Sequence, residues 1–288
     1  MEAYYRPGRA GILRLEFEKH NGKTVLVRSY SKLPLQILRP YPFREPDLVY
    51  LPLINPTGGI VGGDTFHIHI SLRKGARVYL TTQSATKIYR MIKGEESVQQ
   101  ITFEIEEGSE LAYHPDKVIP FGGSSFRQTL RVHLDATSRF SMSEILTPGR
   151  FFRGEKFSFQ RYYSRTEIRE ENTLVFLDTL DLQPEKENLL EPGCLEGFEY
   201  LYTAYFHHEK ILRSSEKLQN FLTYLLQELQ RLSTPSFQKE NPTEGPQPFL
   251  LGSATTTHYG GILVKVLSHS PVLLDEFSHR VRDHLYPA

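Results

Sequence analysis

A mainly β fold, with strands in a stacked, β-helix-like arrangement and two α-helices near the C-terminus, is what the sequence predicts, on three observations. Apolar and polar residues alternate through long runs between Thr65 and Phe176. A unit of strand, turn and strand is written four times over the same stretch. Beyond about residue 205 the apolar period changes from two to the steps of three and four that mark an amphipathic helix.

The elements follow in order. HNGKT (His20–Thr24) sits between strand-like segments and reads as a hairpin turn of the Asn-Gly kind. NPTGGIVGGD (Asn55–Asp64) is a glycine-rich loop between two strand-like runs. From Thr65 the alternation is strict, with Phe66, Ile68, Ile70 and Leu72 on one face and Thr65, His67, His69 and Ser71 on the other. Lys74-Gly75 turns the chain into Ala76–Leu80. Ile101–Tyr113 repeats the unit with a turn at Glu107-Gly108, Leu130–Met142 with a turn near Asp135–Thr137, and Thr166–Phe176 with a turn at Glu171-Asn172. Aligned on the strand after each turn, Val78 and Leu80 match Leu111 and Tyr113, then Phe140 and Met142, then Leu174 and Phe176. The first members lie 33, 29 and 34 residues apart. Such periods point to stacked units, although ordinary hairpins in a sandwich also satisfy so irregular a spacing.

Ser214 or Ser215 can cap a helix with Leu218, Phe221, Leu222, Leu225, Leu226, Leu229 and Leu232 on its apolar side. Ser233–Pro248 is rich in Pro, Ser and Glu and reads as a loop. Gly260–Ser268 is strand-like, and a closing helix runs from Pro271, well suited to a first turn, to Leu285. No linker divides the chain. The expectation is one domain over 1–288, β-rich over 1–210 and helix, loop, strand and helix over 211–288.

Composition narrows the function. Hydrophobic residues make up 39% and charged residues 24% of the 288, which suits a soluble globular chain. The 34 basic and 34 acidic residues balance, so no overall field draws nucleic acid or an anionic membrane. No run of about 18 apolar residues could span a bilayer. MEAYYRPGRAG lacks the pattern of a secretory signal, and the lone Cys194 excludes an intrachain disulfide. A cytoplasmic location is expected.

The glycine loop invites a phosphate-cradle reading, but a P-loop continues with Lys and Ser or Thr into a helix. Here Asp64 and a strand follow Gly62-Gly63. The glycines instead suit positive backbone φ in tight turns. His67 and His69 share a strand face and could chelate a metal, whereas His207 and His208 point to opposite faces of any strand. No HExxH, paired CxxC or GxSxG is present, so neither a permanent zinc site nor covalent catalysis is indicated.

Two carboxylates stand out. Glu144 shares a strand face with Phe140, Met142 and Leu146, and Asp178 shares one with Leu174, Phe176 and Leu180. The repeat alignment makes Glu144 and Asp178 equivalent, as it does Thr82 and Pro115. A buried charge must be paired, hydrated or bound to a cation. Either the two carboxylates mark a polar interior path, or each is neutralised by a buried arginine, with Arg150 a candidate.

Four segments in sequence, NPTGGIVGGD, LTTQSATKIYR (Leu80–Arg90), VIPFGGSSF (Val118–Phe126) and EILTPGRFFRGE (Glu144–Glu155), resemble the urease accessory protein D family, called H in some bacteria. The resemblance extends from about Gly8 to the C-terminal helix. It implies a β-rich stack of strands with two helices near the C-terminus, and a non-enzymatic protein that binds apo-urease and a second, all-helical accessory protein of the F type. That partner in turn carries a nickel-binding GTPase of the G type. It further implies that Ni²⁺ passes transiently through a hydrated interior, with no cofactor permanently bound. Asp64, Glu144 and Asp178 match acidic positions the family associates with that passage, and Ser84 a polar position near them; Thr82 and Arg150 are the neighbouring candidates. A β-rich hydrolase or carbohydrate-binding module unrelated to urease is the alternative.

Overall fold

The computed structural model describes residues 10–208, 214–233 and 250–287. Of the segment Ser233–Pro248 expected to form a loop, Ser233 ends a helix and 234–248 lie outside the described residues.

The chain opens with a hairpin, β1 (Ala10–His20) and β2 (Lys23–Lys32), turned at Asn21-Gly22 as expected, both with positive φ. Two short strands, β3 (Gln36–Ile37) and β4 (Tyr41–Phe43), lead to β5 (Glu45–Ile54). Three arches follow: β6 (Thr65–Leu72) into β7 (Arg77–Thr82); then, after β8 (Thr86–Ile88), β9 (Ser97–Ile105) into β10 (Glu110–Tyr113); then, after β11 (Val118–Pro120), β12 (Ser125–Leu134) into β13 (Arg139–Leu146). A hairpin of β14 (Arg161–Glu170) and β15 (Thr173–Leu182) comes next, then β16 (Tyr200–His208), α1 (Ser215–Ser233), β17 (Leu250–Thr256), β18 (Ile262–Ser268) and α2 (Pro271–Leu285).

Each arch carries the chain from one sheet to the other. The first sheet runs β15-β14-β12-β9-β6-β1-β2 and the second β17-β18-β16-β13-β10-β7-β5-β3. Strands β1, β6, β9, β12 and β14 are mutually parallel, as are β5, β7, β10 and β13. This is the stacked-coil architecture the period suggested. The register is the one the sequence alignment gave: Leu111 lies beside Val78 and Phe140, and Tyr113 beside Leu80 and Met142.

The fourth unit breaks the pattern. Leu174 and Phe176 belong to β15, which pairs antiparallel with β14 in the first sheet. The turn at Glu171-Asn172 therefore closes a true hairpin instead of an arch. Asp178 is not the counterpart of Glu144; it stands opposite Thr166 in the other sheet. Alternation is identical in a hairpin and an arch, so pattern alone could not tell them apart.

Two cores result. Between the sheets, Leu13, Phe66, Ile70, Val78, Leu80, Phe103, Leu111, Val132 and Phe140 are buried. The helices do not enter this space. The α1 side chains Phe221, Leu225, Leu229 and Leu232 pack with Leu274, Phe277 and Val281 of α2 on the outer face of β16 and β18, against Tyr202, Ala204, Val264 and Val266. The apolar stripe of α1 is thus mostly spent on the protein's own sheet. An ionic cluster ties the coils at one edge: Arg77 bonds Glu110 at 2.8 Å and Asp47 at 2.9 Å and also pairs with Glu45, while Arg139 reaches Glu110 at 3.1 Å.

Because Leu111 is fully buried between Val78 and Phe140, Leu111→Ala should destabilise the protein by about 2–5 kcal/mol in urea unfolding. A loss under about 1 kcal/mol would mean the stack is not close-packed there.

Candidate functional site

The inward phase of the strands is apolar until it reaches one end of the sandwich. There Gln99 of β9 and Gln128 of β12 take inward positions beside each other, and Glu144 of β13 follows Met142 on the inner face. Gln99 Nε2 donates to Gln128 Oε1 at 2.9 Å, and Gln128 Nε2 donates to Glu144 Oε2 at 2.8 Å. Tyr162 Oη donates to Glu144 Oε1 at 2.7 Å. Both carboxylate oxygens are thus served by neutral donors, with no arginine involved.

The two glutamines and Glu144 bound a cavity of about 80 Å³, room for a few waters. Glu144, Gln99, Gln128, Tyr113, Phe66 and Ile68 form its inner part. Its outer part is made by Asn55, Gly58 and Gly59 from the glycine loop and by Thr82, Ser84 and Lys87 from the segment after β7. Thr82, Pro115 and Glu144 all line it, so the sequence alignment was right for the three arches and failed only at the hairpin.

The glycine loop is structural in its details. A Cβ on Gly59 would stand 2.6 Å from the Lys87 carbonyl oxygen and 2.5 Å from the Tyr89 ring, so only glycine lets the loop reach β8. Gly63 has φ +78°. Asp64 is 2% exposed and accepts the Val61 N–H at 3.0 Å, while its own N–H donates to the Val61 carbonyl at 3.1 Å. Asp64 therefore closes the second turn and is not part of the cavity lining.

Asp178 and Arg150 are also elsewhere. Lys265 Nζ of β18 meets Asp178 Oδ1 at 2.8 Å, an ion pair between the two sheets. Arg150 pairs with Glu155 and lies 4.3 Å over the Phe121 ring, not near Glu144. The expectation that Arg150 neutralises one of the carboxylates is corrected on both counts. The Arg150 guanidinium and the Gly122 N–H together hold the Glu155 carboxyl down to about 2. His67 and His69 lie on the outer face of the first sheet, His69 3.2 Å from Glu104. His207 is buried against Glu170 at 3.2 Å. Among the described residues no group of three or more His, Cys, Asp or Glu is placed to hold a metal ion.

Burial pushes the Glu144 carboxyl above the ordinary range; the hydrogen bonds from Tyr162 and Gln128 pull it back in part, and the negative charge of Asp178 adds to the rise. Burial likewise raises the Tyr113 and Tyr162 phenols, with Glu144 contributing. The site is a lone carboxylate in a small cavity among neutral donors, short of compensating positive charge. Gln99, Gln128 and Tyr162 were not singled out in the sequence. Their signal was there: SVQQITFEI and SFRQTLRVHL each place a glutamine in the inward phase of an otherwise apolar face.

Fold and cavity define a class: a β protein of stacked coils, with helices on one outer face, enclosing a small cavity of mixed apolar and polar lining around a single carboxylate. The chain belongs to the UreD urease accessory protein family, whose model matches residues 9–288. It is similar to the urease accessory protein UreD of Halalkalibacterium halodurans, 40% identical over 71% of this chain and 75% of the relative. The protein of the same name from Deinococcus radiodurans is 38% identical over 68% and 69%. That of Acetivibrio thermocellus is 30% identical over 97% and 98%. The general role is that of an accessory protein in urease maturation, which sets aside the unrelated hydrolase or carbohydrate-binding module.

The raised Glu144 carboxyl yields a signed pH prediction. The folded state holds this proton more tightly than the unfolded state, so the stability it contributes is complete below the ordinary glutamate range and is lost as pH rises through the folded value. Glu144→Gln should therefore gain thermal stability relative to wild type at about pH 8 and lose that advantage near pH 4. Its amide can still be satisfied, because Gln128 and Gln99 can flip in concert. Tyr162→Phe should instead destabilise by about 1.5–3 kcal/mol, having removed a bond to a charged group. Melting curves at the two pH values check both variants; a Glu144→Gln difference that is flat with pH would show an unperturbed carboxyl.

Proposed function

We propose that this protein is a scaffold of urease maturation that binds apo-urease, bridges it to the all-helical accessory protein and its nickel-binding GTPase, and lets Ni²⁺ pass through its interior. The observation that carries the proposal is Glu144 on the inner wall of a cavity of about 80 Å³, large enough to admit water, whose lining reaches Ser84 and the glycine loop.

The chemistry supports cargo in transit over a resident metal. A divalent ion entering the cavity must shed part of its hydration. One carboxylate offsets that penalty, and Thr82, Ser84, Asn55 and the two glutamines offer neutral oxygens. Among the described residues no thiolate, imidazole or second carboxylate lines the cavity, so an ion there would be held weakly and released easily, as a conduit for a metal of high intrinsic affinity requires. The ion competes with the Glu144 proton, so retention should strengthen as pH rises. Asp64 and Asp178, expected from the family pattern to line the passage, are assigned supporting roles: Asp64 sets the loop at the mouth, and Asp178 adds negative potential felt at Glu144.

In urease activation with purified partners and defined Ni²⁺, Glu144→Gln should keep the complex while lowering urease nickel content several-fold. Adding Asp178→Asn should lower it further. Asp178→Asn alone leaves Lys265 unpaired at a half-exposed site and should cost about 1 kcal/mol or less in stability. Normal nickel content from a stable double variant would leave a scaffold through which no metal moves.

A further inference from the structure

Four loops stack on one rim of the sandwich, each joining the second sheet to the first. They are 55–64, 89–96, 121–124 and 147–160. Backbone bonds hold them in series: Ile60 N–H to the Lys87 carbonyl at 2.8 Å, Phe121 N–H to Ile88 at 2.9 Å, Met91 N–H to Gly123 at 3.2 Å and Gly123 N–H to Ser158 at 2.8 Å. Side chains follow the same line. Tyr89 meets Phe121 edge-on at 5.1 Å, and Arg150 covers Phe121.

This ordered rim exposes apolar groups. Phe152 is 99% exposed, Ile92 62%, Phe151 42% and Val61 41%. Phe152 is held out by design of the turn beneath it. Phe151–Arg153 is a 3₁₀ turn, with Arg153 N–H bonded to the Arg150 carbonyl at 2.8 Å and Gly154 N–H to Phe151 at 3.0 Å. Gly149 has φ +120°, and a Cβ there would lie 2.3 Å from the Glu155 carbonyl oxygen. The Arg150–Glu155 pair clamps the two ends. A large aromatic fixed in water on a braced turn is poorly explained by the fold and well explained by a partner.

Charge identifies the partner's chemistry. In a chain of 34 basic and 34 acidic residues, Lys87, Arg90, Lys93 and Arg153 all stand on this rim, and none appears in an ion pair of the described structure. Glu155 is committed to Arg150 and Glu96 to Arg127, and Asp64 is buried within its own loop, which leaves Glu95 as the opposing acid. The cavity opens at the same rim, through Asn55, Gly58, Gly59 and Lys87.

We propose that this rim is a docking surface for a protein segment that carries carboxylates and an apolar recess, with Phe152 as its anchor. Seated there, the segment lies beside the cavity mouth. The assignment rests on the urease-scaffold reading for its choice of probes. The test uses the whole protein, immobilised, with purified apo-urease and the all-helical accessory protein as separate probes. For one of the two, Phe152→Asp and the pair Arg90→Glu/Arg153→Glu should each weaken capture by about tenfold or more. Wild-type binding of that probe should weaken as salt is raised from about 50 to 300 mM. Tyr259→Asp, at an exposed aromatic away from the rim, should leave capture intact, and the melting temperature of each rim variant should stay at the wild-type value; if Phe152→Asp fails to fold, Phe152→Ser replaces it. Unchanged capture of both probes by stable rim variants overturns the docking surface alone. A wild-type protein that captures neither probe overturns the docking surface and the scaffold reading together.

Discussion

The parallel ladder from β5 through β7, β10 and β13 is the constraint from which the remaining features follow. Each arch strand is hydrogen-bonded on both sides, so none can slip by one residue without turning its whole apolar set outward. The register Val78–Leu111–Phe140 therefore fixes which side chains face inward two and four residues later. At the second step they are Leu80, Tyr113 and Met142. At the fourth they are Thr82, Pro115 and Glu144, and there the apolar core gives way to the cavity. The polar end is not an insertion into the fold; it is the same inward row carried past the last pairings of β10 with β7 and β13.

Holding Glu144 there is unfavourable in the absence of a cation. Its two oxygens accept from Tyr162 and Gln128, which softens the penalty without supplying charge. An arginine partner would satisfy the carboxylate permanently and close the site to a metal ion. The neutral relay Gln99–Gln128–Glu144 leaves the negative charge available and keeps the side chain in place. Asp178 meets the opposite fate. Its ion pair with Lys265 ties the hairpin β14–β15 to β18, and its influence on Glu144 is electrostatic and indirect.

Much of this was legible in the sequence. Strict alternation at Thr65–Leu72, the turn residues Lys74-Gly75 and Glu107-Gly108, and the 33- and 29-residue offsets gave the coils and their register. The α1 and α2 patterns gave the helices. Glu144 was found because a carboxylate in an inward phase is conspicuous, Thr82 because the repeat alignment set it beside Pro115, and Ser84 only through the family resemblance. Asp178 was misplaced because an arch and a hairpin share one alternation, and what separates them is which sheet receives the second strand. That choice is made by long-range pairing, here of β15 with β14, and leaves no local mark. Arg150 was misassigned for a related reason: its partner Glu155 is only five residues away, across a turn whose geometry Gly149 and Gly154 set. The relay glutamines needed the register before they could be read, since each alone is an ordinary polar residue on a strand.

The state of Glu144 in the intact protein can be observed by carbon NMR of glutamate carboxyls labelled with ¹³C, using Glu144→Gln to assign the resonance by difference. If the account is right, this carboxyl titrates above the ordinary glutamate range, and added Ni²⁺ broadens it reversibly, more at high pH than at low pH. A Glu144 resonance that titrates like a surface glutamate and is untouched by Ni²⁺ would contradict the account.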